Sequence, residues 1–125
     1  MIDPEFASRF AREWIDAWNS HDLDRILAHY DDDFEMSSPI IRTLADETSG
    51  KLRGKTAVRA YWAKALEKVP DLRFKLVTVL AGVESVKVYY KGHRGLSAEV
   101  LHFDRSGKVR AGFAHYDVDS PSVFS

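Results

Sequence analysis

Apolar positions change their period once along the chain. Up to about Val69 they recur at helical spacing, and from Leu72 to Tyr116 they alternate as strands do. Phe6, Phe10, Trp14 and Trp18 are spaced by four, flanked by Ala7, Ala11, Ile15 and Ala17, with Arg9, Arg12, Glu13 and Asp16 outside the stripe. This predicts a first amphipathic helix. Asn19-Ser20-His21-Asp22 breaks the pattern, and Ser20 or Asp22 suits the cap of a short second helix carrying Leu23, Ile26, Leu27 and Tyr30. Asp31-Asp32-Asp33 is expected to end that helix. Phe34 to Ser38, with Met36 at its centre, reads as a short strand stopped by Pro39. Ile40 to Lys55 has no clear period and reads as a long loop of the kind that often walls a site. Gly54 opens a third helix with Val58, Tyr61, Trp62, Ala65, Leu66 and Val69 on one face, ended by Pro70.

Four strands fit the remainder. Leu72 to Leu80 sets Leu72, Phe74 and Leu76 against Arg73 and Lys75. Glu84 to Lys91 sets Val86, Val88 and Tyr90 against Lys87, Tyr89 and Lys91. Gly92-His93-Arg94-Gly95 turns the chain into Leu96 to Phe103, and Asp104-Arg105-Ser106-Gly107 turns it into Lys108 to Tyr116. The fold class is therefore α+β, one antiparallel sheet covered by N-terminal helices. Such a sheet can curl around the helices and leave a pocket. All three tryptophans lie in the helical half, where they could line it.

Composition narrows the classes. A chain of 125 residues with 45% hydrophobic and 30% charged content fits one globular domain over 1–125, with a core at about 6–117 and a fraying tail at 118–125. The net charge of −1 and the lack of a Lys/Arg run argue against nucleic-acid binding. No apolar stretch reaches the ~20 residues of a membrane span. Met1 to Glu5 has no basic leader, so a signal peptide is not expected and a cytoplasmic location is the default. Zero cysteines exclude disulfides and thiolate chemistry. The five histidines form no His-Glu-x-x-His pattern, so neither a metal nor a cofactor is expected.

Glu99 is the leading candidate for chemistry. It sits mid-strand on the face shared by Ser97, Leu101 and Phe103, and strand interiors disfavour Glu. Alternation leaves two readings: a solvated surface residue, or an inward carboxyl whose pKa desolvation raises. A neutral carboxyl can donate a proton near neutral pH. On the last strand, Gly112 and Ala114 beside Tyr116 would leave room for a ligand, with His115 facing out. Trp14, Trp18, Tyr30, Trp62 and Tyr90 suit either plain core packing or an apolar pocket wall.

The run from Trp14 to Leu23, Tyr30-Asp31-Asp32-Asp33-Phe34, the Gly54-Lys55 start of the third helix with Tyr61-Trp62, and Phe103 to Val109 resemble SnoaL-like proteins of the nuclear transport factor 2-like superfamily. The likeness runs from about Phe6 to Asp117. It implies a cone-shaped α+β barrel, a bent antiparallel sheet wrapped around three helices with a pocket at the open end, and it makes a homodimer the expected assembly. Glu99-Val100-Leu101-His102-Phe103-Asp104 resembles the strand that carries the protonated acid of ketosteroid isomerase, with Glu99 on that acid. The general base of that enzyme falls on Ser38 and its oxyanion tyrosine on Trp14, so its mechanism is not expected to carry over whole.

The expectation is a SnoaL-like pocket protein, a lyase, cyclase or isomerase acting on a small apolar molecule. Glu99 would be the proton donor or acceptor, with Ser38 and Tyr116 as catalytic helpers. Trp14, Trp18, Tyr30, Met36, Trp62, Val88, Tyr90, Leu101 and Phe103 would line the pocket. Two alternatives stand beside it, a non-catalytic ligand-binding module and a dimeric association domain. Val86, Val88, Tyr90, Glu99, Leu101 and Tyr116 should face the helices, and Lys87, Lys91, Val100, His102 and His115 should face away. An outer face bearing Val77, Val79, Tyr89, Val100 and Phe113 would be apolar enough to bury in a homodimer.

Overall fold

The computed structural model describes residues 1–124. Helix α1 (Pro4–Ser20) begins where Asp3 accepts a hydrogen bond from the Glu5 amide, with Pro4 in the first turn. It ends at His21, whose φ of 61° is left-handed. Asp22, not Ser20, caps α2 (Leu23–Leu27) through the amides of Asp24 and Arg25. Tyr30 therefore lies beyond α2, and Asp31-Asp32-Asp33 does not end a helix. All four residues belong to β1 (Tyr30–Ser37), whose pairing with the last strand shifts register between Tyr30 and Glu35. The aspartates occupy that irregular stretch, where a strand can carry unpaired polar residues.

The segment expected as a loop contains a one-turn helix α3 (Ile41–Leu44) and a short strand β2 (Lys51–Arg53). Gly54, at φ 87° and ψ 154°, then leads into α4 (Lys55–Lys68). That backbone region is nearly closed to residues with a Cβ. The sheet continues with β3 (Lys75–Ala81), β4 (Ser85–Gly92), β5 (Gly95–Phe103) and β6 (Val109–Tyr116), and a final turn of helix, α5 (Pro121–Phe124), follows. The six strands are ordered β2-β1-β6-β5-β4-β3, with β1 parallel to β6 and every other pair antiparallel. The sheet is bent and unclosed, and helices α1, α2 and α4 fill its concave side.

Strand faces follow the expected alternation with one exception. Val86, Val88, Tyr90, Glu99 and Leu101 are buried, while Lys87, Lys91 and His115 are exposed. In β3 the register shifts between Leu76 and Thr78, so Leu76 pairs with Tyr90 and Val79 with Val88. Val79 therefore packs on the core instead of lying outside with Val77, and Leu80 takes the outer position. One inserted residue inverts every later side chain of a strand.

The stripe on α1 runs the depth of the cone. Phe6 and Phe10 meet Phe103 edge-on at 5.2 and 4.9 Å and close the narrow end. Trp14 lies 5.4 Å from Tyr90, and Trp18 4.9 Å from Trp62, toward the wide end. At ~1.5 Å per residue the stripe spans roughly 18 Å. A single helix face thus supplies core at one end and pocket wall at the other.

Candidate active site

The wide end holds a cavity of about 250 Å³. Its floor and side come from β4, β5 and β6, where paired residues present Tyr90, Ser97 and Tyr116 inward at the same level. Trp14 and Trp18 of α1, Tyr61 and Trp62 of α4, and the α3 turn supply the other walls. Asn19 holds the approach to β3 by a two-way clamp: its side-chain amide donates to the Phe74 carbonyl at 2.9 Å, and its carbonyl accepts from the Phe74 amide at 2.6 Å. His21 Nε2 lies 2.7 Å from the Leu72 carbonyl. These contacts place Leu72 and Phe74 on the cavity wall.

Glu99 lies on the floor and is 5% exposed. The Tyr90 hydroxyl donates to its Oε2 at 3.2 Å, and no ion pair reaches it among the described residues. Burial lifts its carboxyl from an ordinary 4.5 to about 8, with the Tyr90 hydrogen bond pulling the other way. Desolvation outweighs one hydrogen bond, so Glu99 is mainly a neutral acid at neutral pH.

Above it lies a layer of hydroxyls. Ser38, at the corner between β1 and α3, is 4% exposed and accepts from the Ile40 amide at 3.2 Å. Burial raises the pKa of both Tyr61 and Tyr116, against a smaller lowering by the nearby Ser38 hydroxyl. Tyr61 is pushed up to about 12, and Tyr116 is raised further. Neither phenol ionises near neutral pH, so both serve as hydrogen-bond donors and not as bases.

Glu99, Ser38 and Tyr116 are therefore brought together, and Trp14, Trp18, Met36, Trp62 and Tyr90 line the cavity. Four expected wall residues do not. Tyr30, Val88, Leu101 and Phe103 are buried deeper, because each successive inward residue of a strand lies ~6.6 Å further along it. Tyr30 has a packing role instead: its hydroxyl accepts the Trp14 indole N–H at 2.9 Å. That bond also occupies Trp14, leaving it no donor for a ligand. Nor is the space at Gly112 for a ligand. A Cβ there would lie 3.1 Å from Met36 Sδ and 3.2 Å from Leu101 Cδ2.

Tyr61, Phe74, Lys68, His93 and Arg94 also line the cavity, although none is among the site residues expected from the sequence. Signals existed for two of them. Lys68 continues the helical row of Tyr61 and Ala65, and Arg94 lies in the turn just beyond inward-facing Tyr90. Among the described residues, no group of three or more His, Asp or Glu is placed to hold a metal ion.

The SnoaL-like domain family matches residues 11–123. A SnoaL-like protein of unknown function from Burkholderia thailandensis E264 is 55% identical, with 93% of this chain and 98% of that chain covered and a TM-score of 0.89. The fold is shared more distantly by the epoxide hydrolase/cyclase-like enzyme SalBIII, which acts in pyran ring formation in the polyether salinomycin. It is 15% identical, with 96% and 97% of the two chains covered and a TM-score of 0.75. A candidate ketosteroid isomerase from Kribbella flavida is 18% identical over 90% of this chain and 78% of that one, at a TM-score of 0.69. Among curated proteins, none matches the chain.

Proposed function

The chain belongs to the SnoaL-like domain family, and from that premise we propose that it is an enzyme using Glu99 to move a proton on a small, largely apolar molecule. The reaction class is isomerisation, elimination or cyclisation. One observation carries this reading: a buried carboxyl with no cationic partner among the described residues stands on the floor of an aromatic-walled cavity. A surface glutamate is spent as a charge, whereas this one keeps its proton to about pH 8. The hydroxyls of Ser38, Tyr61 and Tyr116 are positioned to hold a substrate oxygen while Glu99 protonates or deprotonates it.

Native purification followed by mass spectrometry of co-purifying small molecules supplies the substrate for the test. Glu99→Gln should keep the fold and ligand binding while activity drops by the ~10²–10⁴ of a lost general acid or base. Unchanged turnover in that variant would remove Glu99 from the mechanism.

A second reading rests on a different fact. Among the described residues Glu99 is the one carboxyl lining the cavity, and acid–base enzymes commonly use two groups. A binding module would quench tryptophan fluorescence with its ligand and leave that ligand unaltered.

The assembly proposed is a homodimer through the convex sheet face. Val100 and Phe113 pair across β5 and β6 there, both half-buried, with Phe113 5.6 Å from His102. Tyr89 and Leu80 extend that surface across β4 and β3. A two-fold axis would lay this face against its own copy.

A further inference from the structure

Charge is divided unevenly along the depth of the cavity. Among the described residues, its ionisable lining groups, the tyrosines aside, are Glu99 on the floor and Lys68, His93 and Arg94 around the mouth. Arg94 influences the ionisation of Tyr61 and Tyr116 in the middle layer, whereas no cation does so for Glu99. The order from mouth to floor is thus cation, hydroxyl, neutral acid. Neither Lys68 nor Arg94 forms an ion pair among the described residues. Arg94 donates to the Ser122 hydroxyl at 3.0 Å, a neutral partner, and Ser122 itself lines the cavity. The acidic group felt at this rim is Asp71, which raises His93 against the lowering effects of burial and of Arg94. Asp71 is exposed, and it does not line the cavity. Lys68 is in the last turn of α4, where a cation suits the helix dipole. That accounts for Lys68 alone, since Arg94 stands on a hairpin turn.

Size sets a second limit. The cavity, at about 250 Å³, is smaller than the ~300–1,000 Å³ of pockets for drug-sized ligands. Its walls are aromatic, with Trp18 5.7 Å from Phe74 and 4.9 Å from Trp62. Resting on the pocket reading above, we infer that the ligand is a small carboxylic acid. Its apolar body is about one ring in size, its carboxylate is held at the mouth by Arg94 and Lys68, and its far end lies against Glu99. The planar guanidinium fits a carboxylate through two parallel hydrogen bonds. Protonated Glu99 adds no negative charge to repel the anion.

The test uses the full chain and needs no turnover. Benzoate, phenylacetate and 3-phenylpropanoate are titrated beside their primary amides, with tryptophan fluorescence as the readout, because Trp14, Trp18 and Trp62 all line the cavity. At least one acid should bind roughly tenfold or more tightly than its amide, as expected for a charge-assisted contact. That preference should weaken as ionic strength rises and be largely lost in the Lys68→Gln/Arg94→Gln double variant, while amide affinity holds. Lys64→Gln, an exposed α4 residue off the cavity lining, should retain it. If the double variant does not fold, each single variant and the salt dependence still decide the matter. Equal binding of acid and amide overturns the inference but leaves the pocket reading standing. If none of the acids or amides binds, the inference is overturned, and the Glu99→Gln turnover test decides the pocket reading separately.

Discussion

At the scale of the residue, the burial of Glu99 sets a pH signature. Its folded pKa of about 8 lies above the ordinary 4.5, so the native state keeps a proton that the unfolded chain releases. Stability is full below the unfolded value and declines as pH rises toward the folded one, by a few kcal/mol at most. Thermal melts of wild type should therefore lose stability relative to Glu99→Gln between about pH 5 and about pH 9. Parallel curves for the two proteins across that window would mean that Glu99 is not held protonated. Tyr30 gives a contrasting case. Removing its hydroxyl in Tyr30→Phe leaves the buried Trp14 N–H without its partner, which should cost about 1–3 kcal/mol in chemical denaturation. Ligand affinity should hold, because Tyr30 lies behind the wall and not on it.

At the scale of the element, β3 shows why period alone misplaces a side chain. Alternation from Leu72 puts Val79 with Val77 on the outside, yet the shift at Leu76/Thr78 turns Val79 inward. Val79→Asp should destabilise the protein by about 1–3 kcal/mol, since it places a charge against the core. Val77→Asp should stay within about 0.5 kcal/mol, because Val77 is 51% exposed. Equal costs would contradict the register. The 40–55 segment teaches the same lesson. Its one-turn helix and three-residue strand are too short to show a period, and tertiary contacts stabilise them: Ser38 donates through its amide to the Gly50 carbonyl, and the Gly54 amide donates to Phe34.

At the scale of the whole molecule, the cone has two faces with different demands. The concave face is filled by α1, α2 and α4 up to the cavity. The convex face carries Tyr89, Val100 and Phe113 half-buried and Leu80 exposed, which is the basis of the proposed homodimer. Light scattering at micromolar concentration should give twice the chain mass. Phe113→Glu and Val100→Glu should each halve it without loss of helical and strand content by circular dichroism, since desolvating a carboxylate in an apolar interface is costly. A monomeric wild type would end the proposal.

The sequence by itself determined the layer architecture, because long amphipathic elements announce their period: α1, α4 and strands β4 to β6 were legible from apolar spacing. It also singled out Glu99, because a lone acid in a strand is conspicuous. What it did not determine was depth. Residues Ser97, Glu99, Leu101 and Phe103 share one face of β5, and nothing in their alternation says that the first two border a cavity while the others lie in solid core. The curvature of the sheet decides that, by closing the narrow end on Phe6, Phe10 and Phe103 and leaving the wide end open. The mouth, with Lys68, His93 and Arg94, likewise exists only once a helix end and a hairpin turn from distant parts of the chain are set around one opening.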